Sequence, residues 1–435
     1  MKRIFTVLFS ILFLFLGNLL FPIVLLAQTP FVPNEIVVKL WNSRDLPAIA
    51  SRYNLSPQPL DRFGNRPIYR MRILSGVSPE FLADKMLNES EKRFEYAEPN
   101  YLVGLPETSG NSWAIGNSWA IGNSWAIGTP ISYQQQWFPN KVGLPLAHTV
   151  SKGGGVKVAV LDTGVALNHP AFAGKFVPGF DFVDFDPYPD EVGNKSANQG
   201  FGHGTHVAGL VVRVAPQAKI MPIRVLDPNG FGNIWVLAEA FEFALNPDGN
   251  PATPDGADVI NLSLSTPRKT ELVKEIIEEA TCDDSNDDAN EEEVAFYGKG
   301  QCRFGKESVV VAGAGNRGSE FPEYPAAEAK DVKGVISVAA TDQNDRLAPF
   351  SNFGGWVWVA APGEGITSTV PPNQYATWRG TSMSSPIVAG QVALIKARFP
   401  QFNAADIVNH ITSTGDSINA PVPKRINIAY SLGVK

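Results

Sequence analysis

The sequence predicts an α/β protein: a doubly wound, mostly parallel sheet preceded by a small α+β domain. Two observations carry this. The runs VKVAVLDTG, AKIMPIRVL, DVINLSLS, SVVVAGAGN and GVISVAAT are short and continuously apolar, as parallel strands buried on both faces are. Helical patterns such as LAEAFEFAL and ELVKEIIEEA lie between several of them. With 435 residues and 44% hydrophobic content, the chain has room for more than one domain and a large core. A formal net charge of −7, partly due to one acidic run, gives no footprint for nucleic acid.

Residues 1–27 hold two basic residues, a long apolar run and a small Ala27, the pattern of a signal peptide. The same run is long enough to span a bilayer as a retained anchor. Gly17, Asn18 and Pro22 favour cleavage, and on either reading the rest of the chain is exported. Residues 28–104 alternate strand and helix patterns: NEIVVKL, SRDLPAIASRYN, PIYRMRIL, SPEFLADKMLNES and FEYAEPNYLV. This β-α-β-α-β order predicts a small sheet with helices on one face. Ser78 is the expected cap of the second helix, with Pro79 in its first turn.

The segment 105–130 reads as a linker. It contains GNSWAI three times over and no charge within the repeat. Linkers accept insertions at small entropic cost. Residues 131–435 form the main α/β body.

Three motifs in that body carry chemistry. VAVLDTG ends a buried strand with Asp162, where a carboxylate is aimed at a partner or caps a turn. GFGHGTHVAGLVV sets His203 ahead of a helix, between Gly202 and Gly204. GTSMSSPIVAG sets Ser382 at the start of a long apolar helix, whose unpaired N–H groups and dipole favour negative charge. A serine there is a cap by default and a nucleophile only with a base beside it. The order Asp, His, Ser within one α/β domain is what makes the set specific.

On DTGVALNHP, GHGTHVAG and GTSMSSP the chain resembles the subtilases, most closely their thermitase-like branch. The resemblance runs from about Ile131 to the C-terminus. It implies a subtilisin-like serine endopeptidase that works through an acyl-enzyme. Ser382 would attack, His203 shuttle the proton, and Asp162 orient His203. Asn316, in VVVAGAGN, would supply the oxyanion-hole amide. Ser263, Leu264 and Ser265 would line one edge of the substrate cleft, and Gly230, Phe231 and Gly232 the other. A peptide between them adds a strand to each. Ser265 replaces the glycine of many relatives and is expected to narrow the pocket mouth. Ile387 stands where many relatives have His, a turn into the helix and away from the chemistry. Tyr324-Pro325 matches a cis bond.

The block closing on EYAEPNY resembles an inhibitory propeptide, so the chain is expected to be a self-processing precursor whose partners are peptide or protein substrates and its own propeptide. A monomer is expected, without an organic cofactor. The stretch GLVVRVAPQAKI leaves no room for the calcium loop that many relatives insert after the histidine helix. Asp181, Asp184, Asp186 and Asp190 align instead with another calcium loop of thermitase-like members, and predict a structural calcium. An acidic insert, 281–303, joins a helix to the amino end of the strand before Asn316, away from the cleft. Cys282 and Cys302 flank it and, as the only two cysteines of an exported chain, are expected to pair. Two rival functions share these motifs: a catalytically silent binding protein, and a membrane-anchored processing protease with a dedicated substrate.

Overall fold

The computed structural model describes residues 30–89, 93–107, 127–283, 302, 304–422 and 424–435. The segment 1–27, the GNSWAI repeat up to its last Ile127-Gly128, and the acidic insert between 284 and 301 lie outside the described residues. Among the described residues no helix is long and apolar enough to cross a membrane.

The N-terminal block contains β1 (Phe31–Leu40), α1 (Leu46–Arg52), β2 (Ile68–Arg72), α2 (Pro79–Asn88) and β3 (Phe94–Gly104). Both β2 and β3 pair antiparallel with β1. Pro79 opens α2 as expected, but Ser78 makes no side-chain cap hydrogen bond.

The period of two along β1 shows what each sheet face meets. Ile36, Val38 and Leu40 pack with Ile49 of α1 and with Leu82 and Met86 of α2. Val37, between them, points the other way and joins a core cluster that also contains Ile68, Tyr96, Leu237, Phe241 and Ile276. The block's helices cover one face only, and the main body covers the other. That is why Ile36, Val37 and Val38 are consecutive apolar residues rather than alternating with polar ones.

The main body is a nine-stranded sheet. Its centre is parallel: β4 (Lys157–Asp162), β5 (Lys219–Arg224), β7 (Val259–Leu262), β8 (Val309–Gly313), β9 (Val335–Thr341) and β10 (Val359–Pro362), in the order β10-β9-β8-β7-β4-β5. The short strand β6 (Phe231–Asn233) belongs instead to the N-terminal block's sheet, paired with β3. Helices α3 (His203–Val214) and α6 (Thr381–Arg398) cover one face, in the cluster with Val158, Val160, Val309 and Val311. Helices α4 (Ile234–Leu245) and α5 (Glu271–Thr281) cover the other, with Ala159, Leu161, Val310 and Ala312. Alternate residues of each strand therefore face opposite helix layers, as in a doubly wound fold.

Charge ties the two parts together. Lys39 bonds to Glu95 of its own block at 3.0 Å and to Glu275 of α5 at 2.9 Å. Arg66 reaches Glu279 at 2.6 Å. The Glu98 carboxylate accepts from the backbone N–H of Glu271 and of Leu272, at 2.9 and 3.0 Å, and so caps the start of α5 from the neighbouring block.

Cys282 and Cys302 form a disulfide with Cα atoms 5.1 Å apart. Its Cys282 end follows α5, and Ser308 bonds back to Ala280 at the amino end of β8. The visible ends of the insert thus lie at the opposite end of β8 from Asn316.

Candidate active site

Strand β4 delivers Asp162, almost fully buried, at its carboxyl end. Thr163 N–H donates to Asp162 Oδ1 at 2.8 Å, and His203 Nδ1 lies 2.7 Å from the same oxygen. His203 opens α3 from the left-handed Gly202. The next residue has to be glycine, because a Cβ on Gly204 would lie 2.1 Å from the Gly164 carbonyl oxygen. The two loops bearing Asp162 and His203 are that close.

Ser382 sits in the first turn of α6, buried on all sides. Its Oγ reaches toward the Ser263 carbonyl at 3.5 Å. The Ser263 hydroxyl in turn donates to the Ser382 carbonyl at 3.1 Å and meets Ser385 Oγ at 3.0 Å. Asn316 follows β8, and its Oδ1 accepts from Thr381 N–H at 2.9 Å and from Thr381 Oγ at 3.0 Å. Those bonds fix the orientation of the Asn316 amide and its nitrogen.

That nitrogen meets a residue the sequence reading overlooked. Asn316 Nδ2 donates to Glu107 Oε1 at 3.1 Å, and Glu107 Oε2 lies 3.5 Å from His203 Nε2. The same carboxylate abuts Gly380, where a Cβ would come within 2.3 Å of Oε1. Glu107 arrives on a chain segment laid through the cleft. Leu102, Val103 and Gly104 pair antiparallel with Asn233, Gly232 and Phe231. Gly104 exchanges two backbone hydrogen bonds with Ser265, at 3.0 and 2.8 Å, and Leu105 N–H donates to Gly230 at 3.0 Å. The two expected cleft edges, Ser263–Ser265 and Gly230–Gly232, therefore hold this chain's own strand between them. The seated segment runs past Gly104 to Glu107, through residues assigned by sequence to the linker.

Burial works to lower the His203 pKa, but Asp162 and then Glu107 outweigh it and push it up to about 10. The seated arrangement thus favours the imidazolium. His206, one turn on, is pushed down to about 3, first by burial and then by His203. It stacks on Trp378 with ring centroids 4.5 Å apart and plays a packing part.

The Ser265 hydroxyl is held by a buried carboxylate. It donates to Glu323 Oε2 at 2.5 Å, and Glu323 Oε1 is 2.8 Å from Arg317 Nε. Glu323 precedes the cis Tyr324-Pro325 bond. Leu264 and Ile387 are buried in the core.

A match to the subtilase (Peptidase S8) family model covers residues 153–427. The chain belongs to the subtilase family. This subtilase is 36% identical over 337 residues to the thermophilic serine proteinase of Bacillus sp. (strain AK1), across 75% of this chain and 68% of that protein. It is 36% identical over 300 residues to thermitase of Thermoactinomyces vulgaris, across 67% of this chain and 91% of thermitase. Among solved structures, a protease from Pseudoalteromonas arctica PAMC 21717 superposes with a TM-score of 0.57 at 27% identity, over 71% of this chain and 98% of that one. Fervidolysin from Fervidobacterium pennivorans, described as keratinolytic, gives a TM-score of 0.69 at 23% identity. That match covers 94% of this chain and 62% of fervidolysin, and shows likeness of fold. The subtilase is accordingly a serine peptidase, a hydrolase, with the predicted doubly wound sheet.

The acidic loop has a different arrangement from the expected calcium site. Arg224 Nη1 lies between Asp181 Oδ2 at 2.6 Å and Asp184 Oδ2 at 2.5 Å. Asp181 Oδ1 accepts from the N–H groups of Val183 and Asp184, and Asp186 caps Tyr188 N–H. Among the described residues no three His, Cys, Asp or Glu side chains converge to hold a metal ion. In this arrangement the Arg224 guanidinium lies against two of the four aspartates, Asp181 and Asp184.

Proposed function

We propose that this subtilase is an exported endopeptidase made as a latent, self-processing precursor. Ser382 is the nucleophile, His203 the general base and acid, Asp162 the partner that orients His203, and Asn316 an oxyanion donor. A peptide bond placed where the seated strand runs would have its carbonyl carbon attacked by Ser382 Oγ. The proton would pass to His203 Nε2, and the developing oxyanion would take the hydrogen bond that Glu107 now takes from Asn316. Collapse expels the amine with the proton from His203, and water repeats the sequence on the acyl-enzyme.

One observation supports latency above all: Glu107 occupies the meeting point of His203 and Asn316, at the end of a strand held by both cleft edges. In that state His203 is favoured as imidazolium, which cannot take a proton, and the oxyanion donor is engaged. The N-terminal block is on this reading an inhibitory propeptide, anchored through Glu98, Lys39 and Arg66. The disulfide suits an oxidising compartment.

The test is maturation of the purified precursor. Wild type should shorten on its own and label at Ser382 with a phosphonate, whereas Ser382→Ala should remain full length. A Ser382→Ala precursor that still matured alone would remove the intramolecular mechanism. Wild type that neither matured nor labelled would favour a silent binding protein.

A further inference from the structure

Glu191 has no part in the chemistry above, yet it stands directly behind the Asp162–His203 pair. Its loop is docked on the chain that leaves β4. Val165 N–H donates to the Pro189 carbonyl at 2.9 Å, and Val165 bridges Asp190. Gly164 leaves the room for this, since a Cβ there would lie 2.4 Å from the Asp190 carbonyl oxygen.

From that loop the Glu191 carboxylate reaches inward and is divided between two elements. Oε1 accepts from Thr163 Oγ at 2.7 Å, and Thr163 is the neighbour of Asp162. Oε2 accepts from Thr205 N–H at 3.2 Å and Thr205 Oγ at 2.8 Å, in the first turn of the helix that His203 opens. The hydroxyls relay the connection. Gly204 N–H donates to Thr163 Oγ at 3.0 Å, and Ala166 N–H donates to Thr205 Oγ at 2.9 Å. Both threonines are fully buried.

We propose that Glu191 is a positioning residue: its carboxylate clamps the Asp162 loop to the start of the His203 helix, and so sets the 2.7 Å Asp162–His203 contact. This rests on the triad reading given above.

The chemistry favours a clamp over a passive loop anchor. Gly202 at the helix start has no side chain with which to cap it, so an orphan N–H of the first turn falls to Glu191. Burial pushes the Glu191 carboxyl up to about 7, against the Thr163 and Thr205 hydrogen bonds, and in its ionised form it only accepts, which turns both hydroxyl hydrogens toward it and their lone pairs toward Gly204 and Ala166. A glutamine can satisfy only one side. With its oxygen toward Thr205, its amide faces Thr163, whose own hydroxyl hydrogen then loses its partner. An aspartate is one methylene too short to reach both threonines.

The experiment uses mature enzyme from the full chain, as wild type, Glu191→Gln and Glu191→Ala, processed in trans by wild type where needed. Active sites are titrated with a phosphonate, kcat and KM are measured on a small peptide, and the low-field proton resonance of His203 Nδ1–H is recorded. We expect kcat per titrated site to fall roughly tenfold or more in Glu191→Ala and less in Glu191→Gln, with KM little changed, because small misplacement of reacting groups is costly. The low-field resonance should shift or vanish in step. An unchanged kcat per site in both variants would overturn the clamp, as would a reduced kcat with an unmoved resonance. Should Glu191→Ala not fold, Glu191→Gln alone decides by the same two readouts. Wild type that fails to label at Ser382 would instead remove the triad reading, and the clamp with it.

Discussion

Glu107 and Asn316 meet at 3.1 Å, carboxylate oxygen to amide nitrogen, at the spot where the sequence reading placed only the substrate's oxyanion. Glu107→Gln keeps the shape but removes the charge facing His203. The precursor should then mature faster, by about tenfold if the charge is worth one pKa unit on His203. Conversion half-times on gels measure this. Equal or slower conversion would mean that Glu107 is a passenger on the seated strand.

Asn316→Ala should lower kcat of the mature enzyme by roughly 10²–10³ while leaving KM almost unchanged, as expected when an interaction made mainly in the transition state is removed. Thr381 should remain in place through its helix. A matching rise in KM would point to ground-state binding instead.

Docking of the N-terminal block should weaken with rising pH. Burial pushes the Glu98 carboxyl up from 4.5 to about 8, with the N–H groups of Leu272 and Glu271 offsetting part of this. The docked state therefore binds the Glu98 proton more tightly than the released state. Its contribution is fully present below about pH 4.5 and is lost as pH rises through about 8. The rise of His203 in the seated state has the same sign. The inhibition constant of the isolated block should increase between about pH 6 and pH 9, and Glu98→Gln should flatten that dependence. Tighter inhibition at alkaline pH would contradict the linkage.

Arg224 should matter to stability where calcium was expected to. Removing it leaves the nearly fully buried Asp181 without its cationic partner and with only backbone N–H donors, a loss of up to about 3–5 kcal/mol when a buried pair is broken. Arg224→Met should lower Tm markedly, and added calcium should move wild-type Tm little. A calcium-dependent rise in Tm that disappears in Asp184→Asn/Asp186→Asn would restore the calcium site.

Ser265 is held by Glu323, which precedes the Tyr324 segment that pairs with Thr266. Glu323→Ala should free that hydroxyl and enlarge the space beside Gly315. Relative kcat/KM should then shift toward larger side chains before the scissile bond, by about tenfold for one or two added methylenes. An unchanged preference across a peptide series would place Glu323 outside the specificity pocket.

The sequence by itself determined the doubly wound body and the β-α-β-α-β block. Strands buried on both faces need continuous apolar runs, and VKVAVLDTG or SVVVAGAGN has few other uses. It also pointed to Asp162, His203, Asn316 and Ser382, because each sits in a local motif whose glycines and helix start carry a visible signature. Tertiary structure alone decided the partners that come from afar. Glu107 and Glu191 lie in stretches with no periodicity and no motif, and a lone charged residue in a loop reads as solvated; Arg224 ends a strand run whose pattern says nothing of its partner. Each gains its meaning from a contact between segments remote in the chain: Glu107 with Asn316, Glu191 with Thr163, Arg224 with Asp181. The expected calcium ligands show the same limit. Four nearby carboxylates in sequence specify only negative charge; that a guanidinium lies against two of them, Asp181 and Asp184, depends on which strand passes beside the loop, and β5 brings Arg224 there.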